Sequence, residues 1–460
     1  MLYEFTVENF KSFAEPQTLS LLKGKQRNKL SNIAQGPAGL PPVVRTAAIY
    51  GHNASGKSNL VLAIHVFVQN ILNSATAVRP DAPVSGIVPH RLTAEAQDAP
   101  TRFEAAFSVE QQVFRYKFGA TTTAIVEESL EEELPTGRKK LLFNRMSHAS
   151  NSAAAVVEFT DEYDEKKGFD SAARNNVPKL TRANALLLSA GASLNVPLLS
   201  RVYKAVADGV HFMVAGQPGQ PIMPLMMRSV HEDARFRAQL IALLRDADVG
   251  IRAVRAELGL EPAKTEAEQI MRQLTQPNGP LPAEVAENVV RQMRRDALYA
   301  EHQRADGQTL EFDWNEESQG TRRLADIFWL LYQGLQAGRV VVIDEFASNI
   351  HPLLAWRLIE LFQNPANNPN GAQLIFTTHE SGLLSSQLLR KDQIWFVEKN
   401  TGGASELTRL DDFKSEKYTR SSEAFERNYL AGRYHGVGQF GPVLSGVPLS
   451  SIAVDPEVQK

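Results

Sequence analysis

The stretch Gly51-His52-Asn53-Ala54-Ser55-Gly56-Lys57-Ser58 constrains this chain more than any other. It has the spacing G-x-x-x-x-G-K-S. It follows an apolar run, Val43 to Tyr50, that reads as a buried strand, and precedes a run from Asn59 to Ile64 that reads as the first turns of a helix. A strand, a glycine-rich loop and a helix in that order make an anion cradle. The glycines let the backbone turn its N–H groups toward phosphate oxygens, and the helix N-terminus adds partial positive charge at the same place. Asn53, Ala54, Ser55, Gly56, Lys57, Ser58 and Asn59 are therefore the candidate nucleotide-binding residues. Lys57 is placed to reach the outer phosphates, and the Ser58 hydroxyl to ligate Mg²⁺.

The rest of the chain has to complete that site. Val340-Val341-Val342-Ile343 is a continuous apolar run, as expected of a strand buried on both faces in a parallel sheet, and Asp344 and Glu345 follow it. Ligands gather at the carboxyl edge of such sheets. Asp344 is the candidate Mg²⁺ ligand, with Ser58, and Glu345 the candidate base for an attacking water. His379 follows another apolar strand, Leu374 to Thr378, where a polar side chain can sense a terminal phosphate. Ser318 and Gly320 open a helix upstream of the acidic strand and would offer a hydroxyl and an N–H to phosphate.

Composition narrows the setting. The chain has 460 residues, 43% hydrophobic and 22% charged, with a formal net charge of -3. That is ordinary for a globular protein of two or three units and carries no global basic signal. Without cysteine there are no disulfides, thiolate metal sites or thiol nucleophiles. The first ten residues lack the apolar core of a signal peptide, and no apolar run is long enough to span a bilayer. The expected setting is soluble and cytoplasmic.

The expected fold class is α/β, a P-loop NTPase head interrupted by a β-meander and a helical insertion. Residues 1–190 would form the first lobe of the head. The meander lies in that lobe, about Arg102 to Phe143, with the acidic run Glu127 to Leu134 as a solvated strand face. Residues 191–309 would be the helical insertion, with helices over His231 to Asp246 and Ala283 to Arg304 and a break at Gln276 to Pro280. Residues 310–460 would form the second lobe, in which strand–helix alternation returns.

The wide separation of Lys57 from Asp344, together with Asn9-Phe10-Lys11-Ser12-Phe13, Leu180 to Leu186, Ser318 to Arg322, Asp344 to Pro352, Gln393 to Lys399 and Tyr429 to Tyr434, resembles a known group. It is similar to the prokaryotic AAA/ABC-like ATPases, related to SMC, RecF and OLD proteins, that occur in antiphage and abortive-infection operons. These are the RloA, AbiLi and PARIS-ATPase types. The resemblance implies ATP hydrolysis with Mg²⁺ by Lys57, Glu345 and a switch histidine at His379, with Lys11 near the phosphates. It makes Ser318-x-Gly320 a signature that reads ATP bound to a second copy of the chain, in a head-to-tail dimer. It further implies a co-encoded effector, commonly a TOPRIM-type nuclease, switched by the ATP cycle. Asp411-Asp412 lacks the metal-binding pattern of that nuclease, so none is expected here. Ala347 and Asn349 depart from the D-x-S-L-H-P form usual after the acidic strand, while His351 and Pro352 keep it. Pro89-His90-Arg91-Leu92 has no assignable role from sequence. Two other readings stay open. One is a DNA-binding repair ATPase using Arg291, Arg294, Arg295 and Arg304, and the other is a scaffold that binds ATP without turnover.

Overall fold

The computed structural model describes residues 1–37, 39–147, 155–160, 169, 171–214, 222–247, 250–260, 295–413 and 425–434. Its centre is a six-stranded sheet in the order Val210–Met213, Val340–Ile343, Gln373–Thr377, Thr46–Tyr50, Ile394–Lys399, Ser405–Arg409. The first five strands run parallel and the last is antiparallel. The acidic strand and the phosphate-loop strand are entirely buried, which is why they read as unbroken apolar runs.

A seven-stranded antiparallel sheet lies beside it, in the order Val156–Phe159, Lys139–Met146, Ile125–Glu133, Gln112–Ala120, Thr101–Val109, Leu2–Glu8, Gln17–Ser20. The expected meander is its greater part, and the N-terminal strand pairs with it. The helix Lys57–Asn73 packs between the two sheets. It is apolar nearly all round, as a helix sandwiched between layers must be. Phe67 stacks on Phe118 at 5.7 Å and meets Phe5 edge-on, while His65 meets Phe212 of the central sheet. On the far face of the central sheet a second core gathers around the helix Gln319–Ala337, the helix Pro352–Gln363 and the helices Ile222–Glu232 and Ala234–Asp246. Among the described residues, no helix is long and apolar enough to cross a membrane.

Three local expectations change. The stretch expected to be largely helical contributes helices Pro197–Gly209, Ile222–Glu232 and Ala234–Asp246, but also strands. Val210–Met213 joins the central sheet as its edge, parallel to the acidic strand. Ile251–Leu260, Arg295–Gln303 and Thr309–Asp313 form a separate antiparallel sheet. The end of the expected helix Ala283 to Arg304 is therefore a strand. Its alternation buries Leu298 and Ala300, and sheet pairing overrides the helical preference of Leu and Ala. Residues 283–294, with Arg291 and Arg294, lie outside the described residues, as does the expected break at Gln276 to Pro280. The helix expected over His231 to Asp246 is two helices. Asp233 breaks it by capping the second, accepting from Phe236 N at 2.9 Å.

The acidic run is not simply a solvated face. Glu128 is buried, sharing one side of its strand with Leu130. Its carboxylate accepts from Tyr116 Oη (2.9 Å) and from the N–H groups of Leu187 (2.7 Å) and Leu188 (2.9 Å), and pairs with buried Arg145 at 3.3 Å. Around it Glu127, Glu131 and Glu133 are half-buried and ion-paired with Arg102, Lys139 and Arg115.

Candidate functional site

The loop after Tyr50 turns at the carboxyl edge of the central sheet. Gly56 has φ +117°, a left-handed conformation suited to glycine, and a Cβ there would collide with Ser12 Oγ and Ser405 Oγ. Those two serines buttress the loop. Ser405 Oγ donates to Ser55 O at 2.5 Å, Asn59 Nδ2 donates to Ser12 Oγ at 2.8 Å, and Ser405 N donates to Ser12 O at 2.7 Å. Asn53 and Ala54 are exposed at the tip, with Ala54 at φ +62°, and Ser55 is buried at the base.

Lys57 is buried and its ammonium folds back on the loop, donating to Gly51 O at 2.8 Å and His52 O at 3.0 Å. Desolvation lowers its pKa to about 8, against the opposing pull of Asp344 and Glu345. A bound triphosphate would favour the charged form. Nucleotide binding between pH 8 and 9 is therefore expected to take up as much as about one proton, and affinity to fall by up to about tenfold per unit as pH rises above 8. Calorimetry in buffers of different ionisation heats measures this. Binding without proton uptake at pH 9 would mean that Lys57 does not meet the phosphates.

The acidic strand meets the loop directly. Ser58 Oγ donates to Asp344 Oδ1 at 3.1 Å across 286 positions of sequence, and Thr377 Oγ1 donates to the same oxygen at 2.6 Å. Asp344 is buried, whereas Glu345 is exposed at φ +53°. Its N–H donates to Thr377 Oγ1 at 2.8 Å. From the helix Gln319–Ala337, Arg323 Nη2 donates to Asp344 O at 3.0 Å and Glu345 O at 3.3 Å. His379 is exposed just beyond Thr377 and lies within electrostatic reach of Lys57, Glu345 and Asp344. Desolvation, then the Lys57 charge, holds its pKa below the usual imidazole value, so near neutral pH the ring is uncharged.

One hydroxyl and one carboxylate, both hard oxygen donors, suit Mg²⁺, which keeps waters and phosphate oxygens for its other positions. Among the described residues no group of three or more His, Asp or Glu could hold a metal on its own.

Lys11 lies next to Ser12 at φ +49°, its N–H donating to Val88 O at 2.8 Å. His90 is fully buried here. Its N–H donates to Asn9 Oδ1 at 2.9 Å and its Nδ1 meets Lys11 O at 2.8 Å, so the segment left unassigned from sequence anchors the Asn9–Phe13 turn. Ser318 caps its helix, accepting from Thr321 N at 3.1 Å, and Gly320 abuts Asn349 O. The hydrogen bonds of Ser318 run to its own helix and not to the phosphate loop of its own chain. Sequence reasoning did not single out Thr377, Ser405 or Arg323 as part of the site. Thr377 stands in the strand that leads to His379 and Arg323 directly follows the segment Ser318 to Arg322, but Ser405 lies on a hairpin return strand with no local signal.

Residues 47–385 match the family AAA_21, described as "AAA domain, putative AbiEii toxin, Type IV TA system". No curated protein matches the sequence. Among solved structures the chain is similar to an SMC head domain from Thermotoga maritima, with 12% identity and a TM-score of 0.34, over 89% of this chain and 98% of that one. It is also similar to an Smc head domain with an extended coiled coil, derived from Pyrococcus furiosus and solved bound to the C-terminal domain of ScpA. That match has 10% identity and a TM-score of 0.35, over 90% of this chain and 98% of that one. The family match runs from the phosphate-loop strand past Asp344 and His379 and covers well over half the sequence, so this chain belongs to the AAA_21 family of AAA-domain proteins.

Proposed function

We propose that this chain binds MgATP and hydrolyses it to ADP and phosphate, working as an ABC-type head that closes on a second copy and switches a co-encoded effector in prokaryotic antiviral defence. The observation that carries the nucleotide reading is the meeting of Ser58 and Asp344 beside Lys57, at the carboxyl edge of the central sheet. Loop N–H groups from Asn53 to Asn59 would cradle the phosphates, Lys57 would leave the Gly51 and His52 carbonyls for them, and Lys11 would approach from the adjoining turn. Ser58 and Asp344 would hold the Mg²⁺, whose charge offsets that on the outer phosphates. Glu345 takes a proton from water as its oxygen attacks the γ-phosphorus and the bond to the ADP oxygen breaks. Neutral His379 hydrogen-bonds the transferring group. Ser318 and Gly320 face the nucleotide of the other copy. The exposure of Glu345 and the bonding of Ser318 within its own helix support a site completed from outside.

The effector is the further step. It rests on the resemblance to defence-operon ATPases and on a family description that names a toxin of a type IV toxin–antitoxin system. Of the arginines named for the DNA-repair reading, Arg304 pairs with Asp306 at 3.8 Å, and Arg291, Arg294 and the side chain of Arg295 lie outside the described residues. Lys57→Ala is expected to weaken ATP binding by at least about tenfold and to remove ATP-dependent self-association and effector capture together. Equilibrium binding, light scattering and a tagged pull-down with ATP measure the three. Normal self-association and capture in that variant would overturn the switch. Absence of phosphate release from the unaltered protein would leave the scaffold reading instead.

A further inference from the structure

We propose that Arg323 is a positioning residue, whose guanidinium fixes the Asp344–Glu345 backbone and so joins a signature helix seated on one nucleotide to the catalytic carboxylate at the other. The inference rests on reading Glu345 as the base. Glu345 adopts φ +53°, a conformation that is unfavourable for a residue other than glycine and persists only where its surroundings over-determine it. Its own turn contributes, with Ser348 N donating to Glu345 O at 3.1 Å, and two further sets of contacts hold it. Thr377 holds it from within the sheet, accepting Glu345 N on its hydroxyl at 2.8 Å and Phe346 N on its carbonyl at 2.9 Å. Thr377 belongs to the strand paired with the acidic strand, so the two move as one.

Arg323 is the contact from outside the sheet. It lies about one turn along the helix that Ser318 and Gly320 open, and a charged N–H donated to two successive carbonyls is stronger than a neutral bond. The same helix start abuts the backbone after Glu345, where a Cβ on Gly320 would lie 2.9 Å from Asn349 O. Burial of the guanidinium is partly opposed by the negative field of Asp326 on the next turn, with Glu345 and Asp344. A helix is rigid over one turn. Movement at Ser318 and Gly320, as the copies close, is therefore delivered to the Glu345 peptide through Arg323. An exposed base poised by the opposite site would fire only when both nucleotides are enclosed.

The test uses the full chain with Arg323→Met and Arg323→Lys. Arg323→Met keeps the aliphatic stem and removes the charged donor. Phosphate release should fall about 10–100-fold in kcat with KM unchanged to within about twofold, while self-association on a non-hydrolysable ATP analogue is retained. Arg323→Lys should recover part of the rate, because an ammonium can still reach one carbonyl. Unchanged kcat in Arg323→Met overturns the proposal. So does a rate loss explained by raised KM or failed self-association, and so does an Arg323→Lys rate no better than that of Arg323→Met. If Arg323→Met does not fold, Arg323→Lys decides alone: a rate equal to the parent's overturns the two-carbonyl clamp. Loss of the Glu345 reading is separable. If Glu345→Gln leaves turnover intact, the base and the clamp both fall. If Glu345→Gln stops turnover and Arg323→Met does not slow it, only the clamp falls.

Discussion

Glu345→Gln is expected to lower phosphate release by about 10²–10⁴-fold while leaving MgATP bound and the paired state populated. Gln is nearly isosteric, and what places this residue is its backbone. The N–H on Thr377 Oγ1 and the carbonyl beneath Arg323 Nη2 are unaffected by an amide side chain. What disappears is the capacity to accept a proton from water. A negative charge also leaves a site that must admit a triphosphate, so binding should hold or tighten. Single-turnover phosphate release, with light scattering to follow self-association, reads both effects. Turnover near the parent's rate would move the base elsewhere, and loss of ATP binding would make Glu345 a ligand rather than a base.

The largest stability effect is expected far from the nucleotide edge. Glu128→Ala should destabilise the fold by about 3–5 kcal/mol, the usual result of stranding a buried charge. Arg145 would lose its carboxylate at a position where its side chain is only 3% exposed, and the N–H groups of Leu187 and Leu188 and the hydroxyl of Tyr116 would lose their acceptor. Glu131→Ala, on a half-exposed carboxylate 3.9 Å from Lys139, is the control and should cost no more than about 1 kcal/mol. Urea midpoints measure the difference. Equal shifts for the two variants would return the acidic run to an ordinary solvated face.

Glu128 also shows where the sequence stops being readable. Counting charges in Glu127 to Leu134 reports a polar strand. Alternation does put Glu128 on the side of Leu130, but what closes over that side is the N–H pair at Leu187 and Leu188, and no local pattern announces a partner so far along the chain. The elements of the candidate site were legible because they rest on short-range patterns. The phosphate loop needs only a strand before it and a helix after it, and Val340 to Glu345 needs only four apolar residues and two acids. The bond between Ser58 and Asp344 follows once both motifs share one sheet edge. Val210–Met213 was hidden for the opposite reason. It is four residues long, directly follows a helix, and owes its strand state to the acidic strand beside it. Arg295–Gln303 was misread because Ala and Leu favour helices, and only pairing on both edges makes it a strand. Arg323 and Ser405 were invisible as site residues because each works through backbone carbonyls that no motif records.

The order of strands in the central sheet bears on how the molecule is made. Thr46–Tyr50 pairs on one side with Gln373–Thr377 and on the other with Ile394–Lys399. During synthesis the phosphate-loop strand leaves the ribosome first and then waits for both neighbours. At about 5–20 residues per second that wait is on the order of tens of seconds. Ser405, which buttresses the loop from the return strand, arrives later still. A nascent chain therefore displays the nucleotide loop long before it has a floor to stand on. Translation must pass Ser405 before the loop has the buttress described, so a message interrupted earlier yields a loop without it.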